Sequence, residues 1–350
     1  MDIQRPLFQS IACALAGVLF LNPIVATAAQ VTLDASGGNT QLGQAANGVP
    51  VINIATPNGN GLSHNKFTDY NVGQQGLILN NATGALQNTQ LGGHIIGNAN
   101  LGGRAAGIIL NEVTGGSPSQ LKGYTEVAGQ SAHVVVANPY GIACDGCGFI
   151  NTPKVTLSTG KPIIENDRLD RYDVDGGTIE IYGRGLNAAN IDQFELITRS
   201  ARLNAELHAQ RLAVVTGRNE VDADSLQATA KTADGSSKPL LAIDSSALGG
   251  MYVGAIRLIG TEHGVGVRLA TDMAASSADI DIDVNGGITL KRTVAKGDIH
   301  LKGQEIVLAE AVQAGGSAVV VARDSLEVAK SLAAVKDLHV EAQRLNNRKA

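Results

Sequence analysis

The sequence has no tryptophan and only six tyrosines and five phenylalanines, so aromatic rings cannot fill a large core. Charged residues are scarce at 17%, and no run of lysine or arginine exists to neutralise a polyphosphate backbone or an anionic membrane surface. With a formal charge of −5, nucleic acid is set aside as a partner. No stretch reaches the ~18 consecutive apolar residues that a spanning helix needs. What remains is 44% hydrophobic residues, mostly Ile, Leu, Val and Ala, with 42 glycines and abundant asparagine. Small aliphatic side chains alternating with turn formers suit flat, repetitive β-layers and exclude helical bundles.

The longest apolar run, Ile11 to Leu21, has the length of a signal-peptide core. Ala26-Thr27-Ala28 follows it as a small-residue cleavage pattern, which places the cut between Ala28 and Ala29. A buried core helix is the competing reading, and Pro23 together with the cleavage pattern argues for export. Cys13 leaves with the signal, and two cysteines remain, Cys144 and Cys147, around an Asp-Gly turn. In an oxidising compartment these pair most readily with each other. A thioredoxin-like redox site would need a helix after the first cysteine, where Gly141 and Gly148 instead flank the motif. Half a zinc site would need a second pair of ligands.

Along the chain the dominant signal is alternation with strand-length runs. Val49 to Ile54, Leu77-Ile78-Leu79, Ile108-Ile109-Leu110 and Val134-Val135-Val136 are each bounded by Gly, Asn, Pro or Ser. Several end in asparagine (Asn80, Asn81, Asn111), which predicts left-handed turn residues there. Near the C-terminus a repeat emerges. Ile280-Asp281-Ile282, Ile299-His300-Leu301, Val319-Val320-Val321 and Leu338-His339-Val340 recur about every 20 residues, with a second triplet in each unit at Ile288-Thr289-Leu290, Ile306-Val307-Leu308 and Leu326-Glu327-Val328. A period near 20 with two or three strands per unit is the pattern of a parallel β-solenoid, because one coil cannot bury its inward residues without neighbours. The leucine-rich repeat shares the period but lacks its leucine pattern here. At 20 to 22 residues per coil the exported chain would make about 15 coils.

The run Asn138-Pro139-Tyr140-Gly141-Ile142-Ala143-Cys144-Asp145-Gly146-Cys147-Gly148-Phe149-Ile150-Asn151-Thr152-Pro153 strongly resembles the core motif of two-partner secretion domains. These are the N-terminal modules of filamentous haemagglutinin-type adhesins and contact-dependent growth-inhibition toxins. Gly61 to Asn65, Asn71-Val72, Gly76 to Asn81, Gly103 to Val113, Thr216 to Asn219 and Ala247 to Tyr252 are similar to further blocks of the family. Two positions depart from it. The family's Asn-Pro-Asn-Leu element reads Asn98-Ala99-Asn100-Leu101 here, and in Asn-Pro-Asn-Gly-Ile the second asparagine is Tyr140. Ala99 loses the proline's restraint on φ, and Tyr140 would make a left-handed conformation costly at its own position.

The resemblance implies an all-β, right-handed, single-stranded, pectin-lyase-like parallel β-helix with an N-terminal cap. It divides the chain into a Sec signal at 1–28, a secretion domain at 29–250 and the start of a β-helical shaft at 251–350. The implied partners are the Sec translocon, an outer-membrane TpsB-type β-barrel transporter with periplasmic POTRA domains, and a target-cell receptor reached through regions beyond this chain. The implied location is the secreted or cell-surface space of a Gram-negative bacterium, reached through the periplasm. The residues tied to secretion are Asn98, Ala99, Asn100, Leu101, Asn138, Pro139, Tyr140, Gly141 and Ile142.

An enzyme is the rival expectation, since parallel β-helices also host polysaccharide lyases and glycosidases built on clustered carboxylates. Asp279, Asp281 and Asp283 do line one side of a strand, but no lysine or arginine accompanies them within the run, and a solvated outer face explains them. His64 next to Ser63 points to the opposite side of a strand and reads as a hydrogen-bonded turn histidine. Asp173-Val174-Asp175-Gly176-Gly177 lacks the later acidic ligand of a calcium loop. The sequence therefore predicts no catalytic residue, no metal and no cofactor.

Overall fold

Within each strand the apolar residues alternate, and the fold follows from where they point. In Ile280–Val284 the side chains of Ile280, Ile282 and Val284 are buried while Asp281 and Asp283 face outward. A strand with one apolar side must cover it. The computed structural model, which describes residues 30–245 and 248–348, does so by winding the chain into stacked coils of three strands each. The expected signal segment and the Ala28/Ala29 cut lie outside the described residues.

The first face stacks eleven strands in parallel. They are Leu62–Tyr70, Ile108–Val113, His133–Ala137, Lys154–Ser158, Gln193–Thr198, the later halves of Leu207–Thr216 and Met251–Gly260, then Ile280–Val284 and the opening parts of Ile299–Leu308, Ala318–Val328 and Leu338–Asn347. The second face begins with Ser119–Leu121 and Ile142–Cys144 and runs through Ile288–Leu290 to the ends of those last three long strands. The third face runs from Pro50–Asn53 and Leu77–Asn81 to Val312–Ala314 and Leu332–Ala334. Register places like above like: Ile256, Ile280 and Ile299 stack on the first face, Ile288 and Ile306 on the second, Ala275, Ala295 and Ala314 on the third. Each fully buried Ile or Leu contributes roughly 1.5–3 kcal/mol, and the ladder bonds satisfy the backbone between coils.

The repeat holds with one shift. Ile299 pairs with Ala318, not Val319, so Ala318 and Val320 are buried and Val319 and Val321 face outward. Three consecutive valines offered two registers, and the inward one takes the alanine. In the later coils the third strand, such as Met273–Ala275 or Thr293–Ala295, is short and has only two inward positions. The coil number is also lower than a uniform period suggests, because chain is spent outside the helix. Eleven first-face strands are present among the described residues, against about fifteen expected.

Four features lie outside the coils. Val31–Leu33 runs antiparallel to Leu62–Tyr70, and Gln41–Gln44 antiparallel to Pro50–Asn53, so the first coil is capped by antiparallel strands. A hairpin, Leu86–Thr89 with Gly93–Ile96, covers the outer side of the third face near Val51, Ile78 and Ala128. A four-stranded antiparallel sheet of Lys161–Glu165, Arg168–Val174, Asn219–Asp222 and Ala228–Ala230 covers the outer side of the first face. This cover explains why Leu110, Val135 and Val215, which point out of the coils, are buried.

Candidate functional site: two asparagine turns and a cystine turn

Asparagine sits at the corners because its short amide can bond backbone on both sides of a bend. Asn138 closes the strand His133–Ala137 and turns the chain toward Ile142–Cys144. Its Oδ1 accepts from the Tyr140 N–H at 2.9 Å, and its carbonyl accepts from the Gly141 N–H at 3.1 Å. Pro139 at the second position fixes φ for this turn. The Asn138 amide points inward, fully buried, and donates to Ser117 O and Ser119 Oγ of the preceding coil, both at 3.0 Å. Its own N–H donates to Ser158 O of the next coil at 2.8 Å. One side chain and its backbone thus join three successive coils.

The left-handed demand of this turn falls on Gly141, whose φ is +118°, and not on Tyr140. Tyr140 is therefore tolerated: its ring is 55% exposed and makes no conformational claim on the backbone. A Cβ at Gly141 would lie 3.1 Å from the Thr178 carbonyl, so a side chain there would crowd that backbone in addition to straining φ.

Asn98-Ala99-Asn100-Leu101 repeats the design at another corner. Asn98, with φ −85° and ψ 108°, caps a single 3₁₀ turn over Ala99–Leu101. Its Oδ1 accepts from the Asn100 N–H at 3.0 Å, and its buried amide donates to Ile54 O at 2.9 Å and Asn80 O at 3.0 Å. Asn100 donates to Asn39 O at 2.8 Å, and its carbonyl accepts from Thr56 Oγ1 at 2.6 Å. Leu101 is buried and Ala99 is exposed. The cap and the first coils are knitted together here.

The alternation did not reveal that Asn80, Asn81 and Asn111 lie within strands with negative φ. Their amides face the coil corners: Asn81 bonds Ala106 and Gln130 carbonyls at 2.9 Å each, and Asn111 bonds Val135 O at 3.1 Å. The left-handed asparagines are Asn151 and Asn166 instead. Arg104 joins the first turn by donating to the Pro57 and Asn58 carbonyls, both at 3.0 Å, a role no pattern signalled.

Cys144 and Cys147 are bonded to each other with Cα atoms 5.4 Å apart. Arg184 braces this turn through a guanidinium bond to Asp145 O at 2.7 Å, and its N–H donates to the Asp145 carboxylate at 3.0 Å. That N–H is the main cause holding the Asp145 carboxyl below its ordinary value.

His64, Asp173, Asp175, Asp279 and Asp283 have structural partners. His64 lies in a strand, not a turn, with Nε2 2.6 Å from Glu112 Oε2 on the neighbouring coil. Asp283 pairs with Lys302 at 2.8 Å, and Asp279 accepts from the Asp298 N–H at 2.7 Å. Asp175 pairs with Lys231 and Arg218, each at 2.7 Å, and Lys231 also binds Asp173. Among the described residues no group of His, Cys, Asp or Glu is arranged to hold a metal ion.

Residues 29–290 match the model of the TPS secretion domain. The chain belongs to this family. Its relatives place the TPS domain in large proteins: it is 48% identical over 321 residues to the 16S rRNA endonuclease CdiA of Enterobacter cloacae and 52% identical over 286 residues to a tRNA nuclease CdiA of Escherichia coli. These matches take up 91% and 81% of this chain but 10% and 9% of the relatives, so the chain spans about a tenth of their length. The crystal structure of a filamentous hemagglutinin secretion domain superposes with a TM-score of 0.67 at 32% identity, over 91% of this chain and 99% of that one. The TPS domain here is a β-helical secretion module, and the carbohydrate-active enzyme reading gains no support.

Proposed function

We propose that this TPS domain carries a large exoprotein of the contact-dependent growth-inhibition type across the outer membrane. The match over residues 29–290 carries this reading. Residues 1–28 direct the chain to the Sec translocon and are removed between Ala28 and Ala29. Residues 29–250 engage the POTRA domains of a dedicated TpsB-type transporter in the periplasm, and 251–350 begin the β-helical shaft. The nuclease activities named for the relatives lie outside the tenth of their length that this chain matches, and a target-cell receptor is met by regions beyond residue 350. These 350 residues perform no catalysis themselves.

In the folded state the Asn98 and Asn138 amides are consumed by bonds to neighbouring coils. Their part in secretion is therefore to let each coil template the next once the chain emerges. Co-expression with the cognate transporter tests this assignment. Asn138→Ala combined with Gly141→Val should leave the chain in the periplasm, while Asp281→Ala on the outer face should be secreted like the parent. Equal secretion of the turn variant would overturn the role given to the turn.

A further inference from the structure

The four-stranded sheet outside the coils is assembled from two separate insertions. Its hairpin, Lys161–Glu165 with Arg168–Val174, leaves the coils after Lys154–Ser158. Its other two strands, Asn219–Asp222 and Ala228–Ala230, leave after Leu207–Thr216. Tyr172 pairs with Val221 and Val174 with Asn219, so two segments separated by several complete strands must meet. That pairing becomes favourable only after the intervening coils have stacked and shortened the loop.

The inner side of the sheet, Leu169, Tyr172, Val174 and Val221, lies on an outward stripe of the first face. The stripe comprises Leu62, Leu110, Val135, Ile197 and Val215, drawn from five of the first six coils and all buried; the coil of Lys154–Ser158 places Thr156 there, donating to the buried Glu195 carboxylate at 2.6 Å. Farther along, the outward positions are Asp281, His300, Lys302 and the half-buried Val319 and Val321, and the four-stranded sheet does not cover them. The sheet is tied at both ends. At the hairpin tip Asn166 (φ +52°) and Asp167 (φ +61°) form the turn, and their carbonyls accept from Asn60 Nδ2 at 3.1 Å and Asn58 Nδ2 at 2.7 Å in the first coil, 106 and 109 residues away. At the other end Asp175 is held by Lys231 and Arg218 at 2.7 Å.

We infer that this sheet is a strap that closes last and locks the coils from Leu62 to Val215 into one cooperative unit, leaving the later coils outside the lock. A bare solenoid unwinds coil by coil from an end, since each coil touches only its neighbours. The strap touches coils that are not neighbours, so opening the first coil breaks contacts with the fifth and sixth. Uncovered, the stripe would present Leu, Val and Ile side chains of these coils to water.

Hydrogen exchange by mass spectrometry on the full chain reads the lock directly. In the parent, Leu62–Tyr70, His133–Ala137 and Arg168–Val174 should exchange through one shared opening, distinct from that of Ile299–Leu308. Tyr172→Ala should speed exchange in Leu62–Tyr70 and Ile108–Val113 on the order of a hundredfold, as removal of a buried aromatic does, and leave Ile299–Leu308 unchanged. Asn60→Ala, which deletes only a tip bond and preserves folding, should speed Leu62–Tyr70 severalfold. Acceleration confined to residues 161–174 and 219–230 in these variants would overturn the lock. Equal acceleration of Ile299–Leu308 would overturn its boundary.

Discussion

Replacing Asn138 with alanine isolates the physical content of the corner. The side chain is fully buried and makes three hydrogen bonds, accepting from Tyr140 N–H and donating to Ser117 O and Ser119 Oγ. Truncation removes all three. The Ser119 hydroxyl can rotate to another acceptor, but the Tyr140 N–H and the Ser117 carbonyl are fixed by the backbone and lose a partner. An orphaned buried group costs roughly 1–3 kcal/mol, and because these two bonds are part-buried and Ser117 itself is exposed, the variant should lose about 2 kcal/mol. Urea unfolding followed by far-ultraviolet circular dichroism measures the loss; tyrosine emission gives a second signal, since no tryptophan masks it. Gln313→Ala, an exposed outward position on Val312–Ala314, is the control and should stay within about 0.5 kcal/mol of the parent. A loss at Asn138 no larger than the control's would refute the view that this amide holds the coils in register.

Three further outcomes follow from the same structure. Ala99→Pro should stabilise by about 0.4–1 kcal/mol in thermal unfolding, because Asn98 already has the extended ψ of 108° that a following proline requires and residue 99 opens the 3₁₀ turn; a drop in the midpoint would contradict this. Replacing Cys144 and Cys147 with serine should cost about 2 kcal/mol, since the closed loop is short, and a loss of folding would show that the cystine does more than pin its turn. Burial, helped by the nearby Lys154 cation, pushes His133 down to about 3, so it stays neutral where the unfolded imidazole is charged. Its folded value lies below its unfolded one of about 6.5, so stability is full above that pH and falls as pH drops toward 3. His133→Gln should lessen the difference between unfolding midpoints at pH 7 and pH 4.5, and an unchanged difference would exclude this histidine as a source.

Much of the coil was legible from alternation. Ile280, Ile299, Ile288 and Ile306 recur at the spacing the ladders confirm, because one inward apolar residue per position is what stacking demands. Register failed at Val319 to Val321, where both faces of the strand carry valine and the pattern has no preferred side. The strap was missed, although its signal was present. Ile108-Ile109-Leu110 and Val134-Val135-Val136 are apolar without alternation, which marks strands covered on both sides. The corner motifs were found as a family likeness, but their bonds depend on residues brought close only by stacking. Ser117, Ile54 and Asn80 carry no local sign that an asparagine amide will reach them.

The central claim is that these residues are a secretion module served by a dedicated outer-membrane transporter. Its most direct measurement is the fraction of the 350-residue chain reaching the culture medium of a Gram-negative host, with and without the cognate transporter, with a periplasmic marker to report leakage. Export to the medium is expected only when the transporter is present, with periplasmic degradation when it is absent. Equal amounts in the medium under both conditions, with the marker retained, would contradict it.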